Sequence, residues 1–274
     1  MVGSTPVKVN NRRMARQCLF CGQRANSAEH LWPDWILKKV QIEEPFAHSI
    51  GGSAVKFTAN GDFTVKKVCK ACNNGWMSHL EQQSIPLIGC LLQDISSVLD
   101  PDQQTQLARW VTKTAMILDA TSTKTRNIFY TSSERQSLRD SSTIPEPSVV
   151  SIGRLSKSSL AAYGTEFKIH VREDEQGPAE THHANAAVIV VGRLVAEIFT
   201  VHLPTRMNRI HRVHPAPGSW DRLLVQTWPT SERITTWPPP LSFDLTGQFS
   251  IATLMRRWQI GQHAPTAPTS GSDR

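Results

Sequence analysis

The sequence predicts an α+β protein in which a cysteine-rich N-terminal module is followed by helices and then by a mostly antiparallel α/β domain. Three observations lead to this prediction. Two Cys-x-x-Cys pairs flank a short alternating segment that contains an Asn-Gly turn signal. Apolar residues then recur at helical spacing between Met77 and Leu118. Runs typical of strands follow between Asn127 and Val201.

Changes in composition along the chain predict the boundaries of five parts. Residues 1–16 are expected to form a flexible basic arm, 17–82 the cysteine-rich module and 83–122 a helical connector. Residues 123–261 are expected to form a C-terminal α/β domain, to which the sequence assigns no role. The last part, 262–274, is rich in Pro, Thr and Ser and is predicted to be a disordered tail.

One hairpin is predicted inside the cysteine-rich module. Asn60-Gly61 accepts the positive φ angles of a tight turn, and the segments 55–58 and 63–66 on either side alternate in polarity. This hairpin would lead the chain directly to Cys69.

Four helices are predicted from capping residues and apolar spacing. Asp100-Pro101 combines an N-cap residue with a proline that suits the first helical position. The helices are expected at Asp34 to Lys39, Met77 to Ile95, Pro101 to Leu118 and Ser250 to Trp258.

Five strands are predicted in the C-terminal part. They lie at Asn127 to Tyr130, Val149 to Ile152, Phe167 to Val171, Ala187 to Val191 and Leu194 to Val201. Gly192 stands between the last two runs, so the segment Val191-Gly192-Arg193 is predicted to turn a hairpin between them.

Composition narrows the class of protein. The chain has 274 residues, of which 39% are hydrophobic, and its mean hydropathy is −0.31. No apolar run approaches the ~20 residues of a membrane-spanning helix, and the basic N-terminus lacks the apolar core of a secretory signal. We therefore expect a cytoplasmic protein that does not enter a membrane.

The charge of the chain is positive and concentrated near the cysteines. The net charge is +7, and residues 1–85 hold eleven Lys and Arg against six Asp and Glu. Such a balance attracts polyanions such as nucleic acid or anionic lipid, although a merely soluble basic surface explains the charge equally well.

Four of the five cysteines have the spacing of a zinc site. They are Cys18, Cys21, Cys69 and Cys72, arranged as two Cys-x-x-Cys pairs. A turn at this spacing presents two thiolates to one metal ion, and two such turns complete a tetrahedral site. Four thiolates leave no coordination position for water, so the predicted zinc ion is structural and the chemistry must lie elsewhere.

The residues around these cysteines resemble the HNH (His-Asn-His, ββα-metal) endonucleases. Many members read Cys-x-x-Cys, then an acidic residue followed by His and a nearby Pro, then Cys-x-x-Cys-Asn. This chain has Glu29-His30 with Pro33 after them, and Asn73 directly follows the last cysteine. The resemblance covers about residues 17–82 and implies a treble-clef-like ββα-metal module.

The resemblance also implies roles for individual residues. His30 would be the general base, since a neutral imidazole can accept a proton near physiological pH. Glu29 and Asn73 would hold a catalytic Mg²⁺ or Mn²⁺ ion through oxygen ligands. The structural zinc would fix the loop that carries His30 against the helix that begins near Asn73.

The function that follows is metal-dependent hydrolysis of DNA phosphodiester bonds by an HNH-type endonuclease. DNA is the expected partner, and the sequence leaves RNA open. Substrate recognition and homodimer formation are two roles that the sequence leaves open for the C-terminal domain. A zinc-stabilised module that binds nucleic acid or protein without cutting is the first alternative. An enzyme of another class on the same scaffold is the second.

Overall fold

The computed structural model has a mixed α+β fold whose sheets are mostly antiparallel, as the sequence predicts. Its strands are β1 (Ser27–His30), β2 (Phe46–Ile50), β3 (Lys56–Thr58), β4 (Thr64–Val68), β5 (Ser97–Leu99), β6 (Ser148–Val171), β7 (Glu180–Val201), β8 (Leu224–Trp228), β9 (Thr235–Trp237) and β10 (Ser242–Phe243). The residues that the structure describes are 16–40, 46–50, 56–58, 63–121, 128–171, 178–204, 219–230, 235–246 and 250–258.

Six α-helices accompany these strands in the described residues. They are α1 (Asp34–Lys39), α2 (Lys70–Cys72), α3 (Ser78–Leu92), α4 (Pro101–Thr121), α5 (Ser132–Ser141) and α6 (Ile251–Arg256). A π-helical turn, Asn73–Met77, joins α2 to α3. The four helices predicted from the sequence are therefore present, whereas α5 was not predicted. None of the described helices is long and apolar enough to cross a membrane.

The two arms of the predicted hairpin pair with different strands. β3 pairs with β2, whereas β4 pairs antiparallel with β1 and places Thr64 opposite His30. The prediction that these arms pair with each other is therefore wrong for the residues described, and the Asn60-Gly61 turn lies outside them. The arms separate because β4 continues into the second cysteine pair, whereas β2 joins β3 to the large sheet.

The large sheet is built around one long strand, β6. One edge of β6 pairs antiparallel with β7 along most of its length. The other edge pairs antiparallel with β8 and parallel with β10 and β2, at successive positions. A single strand of 24 residues thus organises the C-terminal part.

Gly192 lies inside strand β7 and not in a hairpin turn, so the turn predicted at Val191-Gly192-Arg193 is wrong. The strand continues through Gly192, where the register against β6 shifts between Arg154 and Ser159. Gly192 has φ +60°, and a Cβ there would lie 3.0 Å from the carbonyl oxygen of Leu92. A glycine is needed because the bulged backbone is left-handed and passes close to the end of α3.

Helix α4 runs through the core of the protein. Its start is capped as predicted: Oδ1 of Asp100 accepts from the backbone N–H of Gln103 at 2.8 Å, and Oε1 of Gln103 accepts from the N–H of Asp100 at 3.1 Å. Residues 107–120 of this helix are mostly buried, and they share one continuous hydrophobic cluster with the cysteine pairs, α3 and strands β6 and β7.

The segment predicted as a strand after α4 is irregular over its described residues, and a helix follows it. Ile128 to Tyr130 form no strand, because the carboxylate of Asp119 accepts hydrogen bonds from the backbone N–H groups of Phe129 (2.8 Å) and Tyr130 (3.2 Å). Helix α5 then begins after Thr131, whose side chain forms a capping box with Glu134. The Thr-x-x-Glu spacing was the signal for this helix in the sequence.

The face of the sheet away from α4 is covered by the end of the described chain. Trp258 stacks on Phe199 of β7 with the ring centroids 4.3 Å apart. The buried carboxylate of Glu197 binds the guanidinium group of Arg257 and accepts from Nε1 of Trp258 at 2.8 Å. These contacts dock α6 and the two residues after it on β7. The predicted tail, 262–274, lies outside the described residues, as does the predicted basic arm apart from Arg16.

Candidate metal centre

The four cysteines predicted as metal ligands come together. Their Sγ atoms all lie within 4.8 Å of one another, and those of Cys21 and Cys69 are 3.5 Å apart. With metal–sulfur bonds of about 2.3 Å, tetrahedral geometry places sulfur atoms about 3.8 Å apart. The cluster therefore has the size of a four-thiolate metal site.

The first cysteine pair lies in a tight turn. Gln17 and Arg24 form an antiparallel bridge across its base, and the N–H of Gly22 donates to the carbonyl of Cys18 at 3.0 Å. Gly22 has φ +70°, which favours glycine at this position. The turn carries the sulfur atoms of Cys18 and Cys21 to the same side of the chain.

The second cysteine pair lies where β4 ends and α2 begins. Cys69 is the N-cap of α2, and its Sγ accepts from the backbone N–H of Cys72 at 3.4 Å. Cys69 and Cys72 are both almost fully buried. The end of β4 and the start of α2 thus place two further thiols opposite the first cysteine turn.

The thiols differ in acidity before any metal binds. Burial alone would raise the pKa of Cys69, but the N–H of Cys72 and the neighbouring thiols donate to its sulfur and lower the pKa to about 7. Burial and donation to neighbouring thiols raise the pKa of Cys72. One thiolate is thus stabilised near neutral pH, and a cation at the centre of the cluster would favour ionisation of the others.

An open cavity of about 760 Å³ lies beside the cysteines. Arg24, Lys70 and Arg139 line it together with Trp76, and Asp140 is its one carboxylate. Asp140 is already paired with Arg139, with Oδ1 2.6 Å from Nε. The cavity wall is therefore cationic next to the thiol cluster.

His30 ends strand β1 and is only partly buried. Its neighbour Glu29 is buried with 6% of its surface exposed. Successive side chains of a strand point to opposite sides, which separates the environments of these two residues. The imidazole reaches the surface, and the carboxylate faces the core.

Glu29 belongs to a buried ionic cluster with Lys113 and Glu81. The Nζ atom of Lys113 lies 3.7 Å from Oε1 of Glu29 and 2.8 Å from Oε1 of Glu81, and Lys113 is fully buried. Burial raises the pKa of Glu29, and the ammonium group of Lys113 opposes this shift. The cluster ties β1 to α3 and α4.

Asn73 connects the second cysteine pair to β1. Its Nδ2 donates to Oγ of Ser27 at 2.9 Å and to the carbonyl of Ala28 at 3.2 Å. Asn26 makes a parallel connection, because its Oδ1 accepts from the N–H of Lys70 at 2.8 Å. The structure therefore brings Asn73 beside the strand that carries Glu29 and His30.

Sequence reasoning missed two groups of residues at this centre. Lys113 and Glu81 complete the ionic cluster around Glu29, and the signal for Lys113 was a lysine within the buried stretch of α4. The carbonyls inside the first cysteine turn are bound by Arg135 and Arg139 of α5. No local pattern links these arginines to cysteines more than 100 residues away.

Over the described part of the chain, the four cysteines are the one group of at least three His, Cys, Asp or Glu side chains placed to hold a metal ion. Glu29 and His30 do not belong to a second such group there. Comparison with protein-family models, with curated proteins and with solved structures found no match.

Proposed function

We propose that this protein is a zinc-stabilised endonuclease that hydrolyses DNA phosphodiester bonds with His30 as the general base. The observation that carries the proposal is the position of His30. It stands at the end of β1, paired with β4, while Asn73 ties the following helical segment to the same strand. Two paired strands between the cysteine pairs, with a helix after the second pair, are what the resemblance to HNH endonucleases implies.

Zinc is the metal that fits the four thiols best. Thiolate ligands select zinc, copper(I) or iron–sulfur clusters, and closed four-cysteine sites are typical of structural zinc. The ion would join the first cysteine turn to the junction of β4 and α2. Since β4 pairs with β1, this connection fixes the strand that ends at His30.

The chemistry proposed for His30 is removal of a proton from the attacking water. An imidazole that is partly exposed can reach both solvent and a phosphate at the surface. A neutral imidazole can accept a proton from water near physiological pH. General base catalysis of this kind contributes typically 10²–10⁴-fold to a rate.

The surroundings of Glu29 do not fit a catalytic Mg²⁺ or Mn²⁺ ion. Its carboxylate is buried and already faces the ammonium group of Lys113. A divalent ion there would compete with that cation and would have to lose most of its water. The proposed hydrolysis therefore uses no metal ion at Glu29.

A second candidate function is a module that binds nucleic acid without cutting it. The pairing of Glu29 with Lys113 favours it, because a nuclease of the HNH type needs a cation at the phosphate. Arg24 and Lys70 at the rim of the open cavity would suit a phosphate backbone. This candidate shares the zinc site and differs in predicting no hydrolysis.

A cleavage assay separates the two functions. Supercoiled plasmid DNA and a structured RNA are incubated with the full-length protein over a range of Mg²⁺ and Mn²⁺ concentrations. The variants are His30→Ala and, as a matched control, His79→Ala. His79 is exposed on α3 and bonds to Gln83 at 2.9 Å.

The endonuclease proposal expects wild type and His79→Ala to cut DNA and His30→Ala to lose at least about 100-fold in rate. Equal cleavage by His30→Ala would remove His30 from the mechanism. Binding of DNA without cleavage, by a protein confirmed to contain zinc, would establish the second candidate.

A further inference from the structure

Two arginines of helix α5 form hydrogen bonds with the backbone of the first cysteine turn. The two residues between Cys18 and Cys21 are Leu19 and Phe20, and both of their carbonyl groups accept from arginines. Nε of Arg135 donates to the oxygen of Leu19 at 2.7 Å, and Nη1 of Arg139 donates to the oxygen of Phe20 at 2.9 Å. The arginines are four residues apart and so lie on one side of α5.

Both guanidinium groups are themselves fixed in place. Arg135 also donates to the carbonyl of Tyr130 and to Oγ of Ser132, and it is buried. Arg139 forms two hydrogen bonds with Asp140, at 2.6 and 2.7 Å. Because these side chains have fixed partners, they can determine where the two carbonyls of the turn lie.

Charge gives the arginines a second effect on the cysteines. Four thiolates around one divalent ion carry a net charge of −2, which nearby cations stabilise. The pKa of Arg139 is raised, first by Asp140 and to a smaller extent by the thiols of Cys72 and Cys21. Arg139 also lines the open cavity together with Cys21 and Cys72, which places its cationic group next to the thiol cluster.

We propose that Arg135 and Arg139 are positioning residues of the metal centre, which hold the first cysteine turn in the geometry that retains zinc. This inference rests on the proposed structural zinc and extends it. The ion would depend on helix α5, which follows the first cysteine pair by more than 100 residues in the chain. Groups of this kind, outside the ligands themselves, typically change metal affinity 10–100-fold.

Zinc release from the full-length protein tests the inference. The zinc-loaded protein is mixed with a chelating dye, and the release rate is measured for wild type, Arg139→Ala and Arg135→Ala. Arg109→Ala is the matched control. Nε of Arg109 donates to the carbonyl of Ser142 at 3.1 Å, so this arginine anchors the end of α5 with no hydrogen bond to the turn.

We expect Arg139→Ala and Arg135→Ala to release zinc at least about tenfold faster than Arg109→Ala. In urea unfolding, Arg139→Ala should lose more stability in the zinc-loaded form than in the metal-free form, which general weakening of α5 would not produce. The absorption bands of bound Co²⁺ should also shift in Arg139→Ala, since they report the geometry of the thiolates.

Equal release rates for Arg139→Ala and Arg109→Ala would overturn the inference even if Arg135→Ala fails to fold. Equal losses of stability with and without zinc would also overturn it, because they would mean that Arg139 stabilises helix α5 and not the metal centre. A wild-type protein that binds no zinc would instead refute the structural zinc itself, and the inference with it.

Discussion

The ammonium group of Lys113 lies 3.7 Å from Oε1 of Glu29 in the interior of the protein. Glu29 directly precedes His30 in the chain. Glu81 lies on the other side of the ammonium group, with Oε1 at 2.8 Å. One lysine of the central helix α4 is thus shared by two carboxylates, one from strand β1 and one from α3. The position of the strand that carries His30 depends on this cluster.

Replacing Lys113 should destabilise the protein strongly. Lys113→Met leaves the buried carboxylate of Glu29 and the partly exposed one of Glu81 without their cation, and breaking a buried ion pair costs about 3–5 kcal/mol. Urea unfolding measures the loss. Lys38→Met on the exposed side of α1 is the control, and it should change stability by less than about 0.5 kcal/mol.

A further substitution checks the cause of that loss. Adding Glu29→Gln to Lys113→Met should recover part of the stability, because it removes one of the two unpaired charges. If the double variant is no more stable than Lys113→Met, the loss would come from packing and not from the ion pair.

The four cysteines should bind one zinc ion per chain and need it for stability. Cys72→Ser removes one thiolate, so zinc content should fall to near zero and the melting temperature should fall with it. Metal analysis and thermal unfolding give the two readouts. Cys90→Ser is the control, because Cys90 does not belong to the thiol cluster. Full zinc content in Cys72→Ser would contradict the proposed ligand set.

The stability that Glu134 contributes should depend on pH. Burial alone would raise its pKa, but hydrogen bonds with His202 and with the N–H of Thr131 lower it below the ordinary value of 4.5. Since the folded-state pKa is the lower one, this stabilisation is present above about pH 4.5 and is lost as the pH falls through the folded-state value.

Urea unfolding of wild type and Glu134→Gln at several pH values checks this dependence. The difference in stability between them should be largest near neutral pH and should shrink in acid. Glu166→Gln is the control, because its ion pair with His183 at 2.9 Å is more exposed. A difference that stays constant down to acid pH would contradict the role of ionised Glu134.

Arg257 should be essential for docking the C-terminal helix. It pairs with Glu197, which is fully buried in β7, and its Nη2 also bonds to Ser151 at 3.2 Å. Arg257→Met leaves the carboxylate buried and unpaired, which should cost about 3–5 kcal/mol of unfolding free energy.

The double variant Glu197→Gln, Arg257→Met provides the comparison for that result. It leaves no unpaired charge, so its unfolding free energy should exceed that of Arg257→Met alone. An Arg257→Met protein as stable as wild type would show that Glu197 finds another partner or stays protonated.

Local patterns predicted the elements that local physics controls. The start of α4 at Asp100-Pro101 follows from capping rules, and the meeting of the two cysteine pairs follows from ligand spacing. The short helix α1 also lies where it was predicted. Helix α5 could also have been predicted, because Thr131 and Glu134 form a capping box whose spacing is visible in the sequence.

The errors arose where distant residues override a local preference. Ile128 to Tyr130 have strand-like composition, but the carboxylate of Asp119 takes up two of their backbone donors. A glycine at position 192 is typical of a turn. In the structure β7 continues through Gly192 because β6 pairs with it on both sides of that residue. The glycine is needed there because a Cβ would lie too close to the end of α3. Local sequence patterns do not show that these residues are close together in space.

By itself, the sequence determined that this protein has four thiols spaced for one metal ion, a mixed α+β fold and a Glu-His pair between the cysteines. Only the tertiary structure decided the surroundings of that pair. It turned Glu29 inward to Lys113, left His30 partly exposed and set the arginines of α5 on the first cysteine turn. Ligand spacing is local along the chain, whereas burial and charge pairing depend on which distant segments pack together.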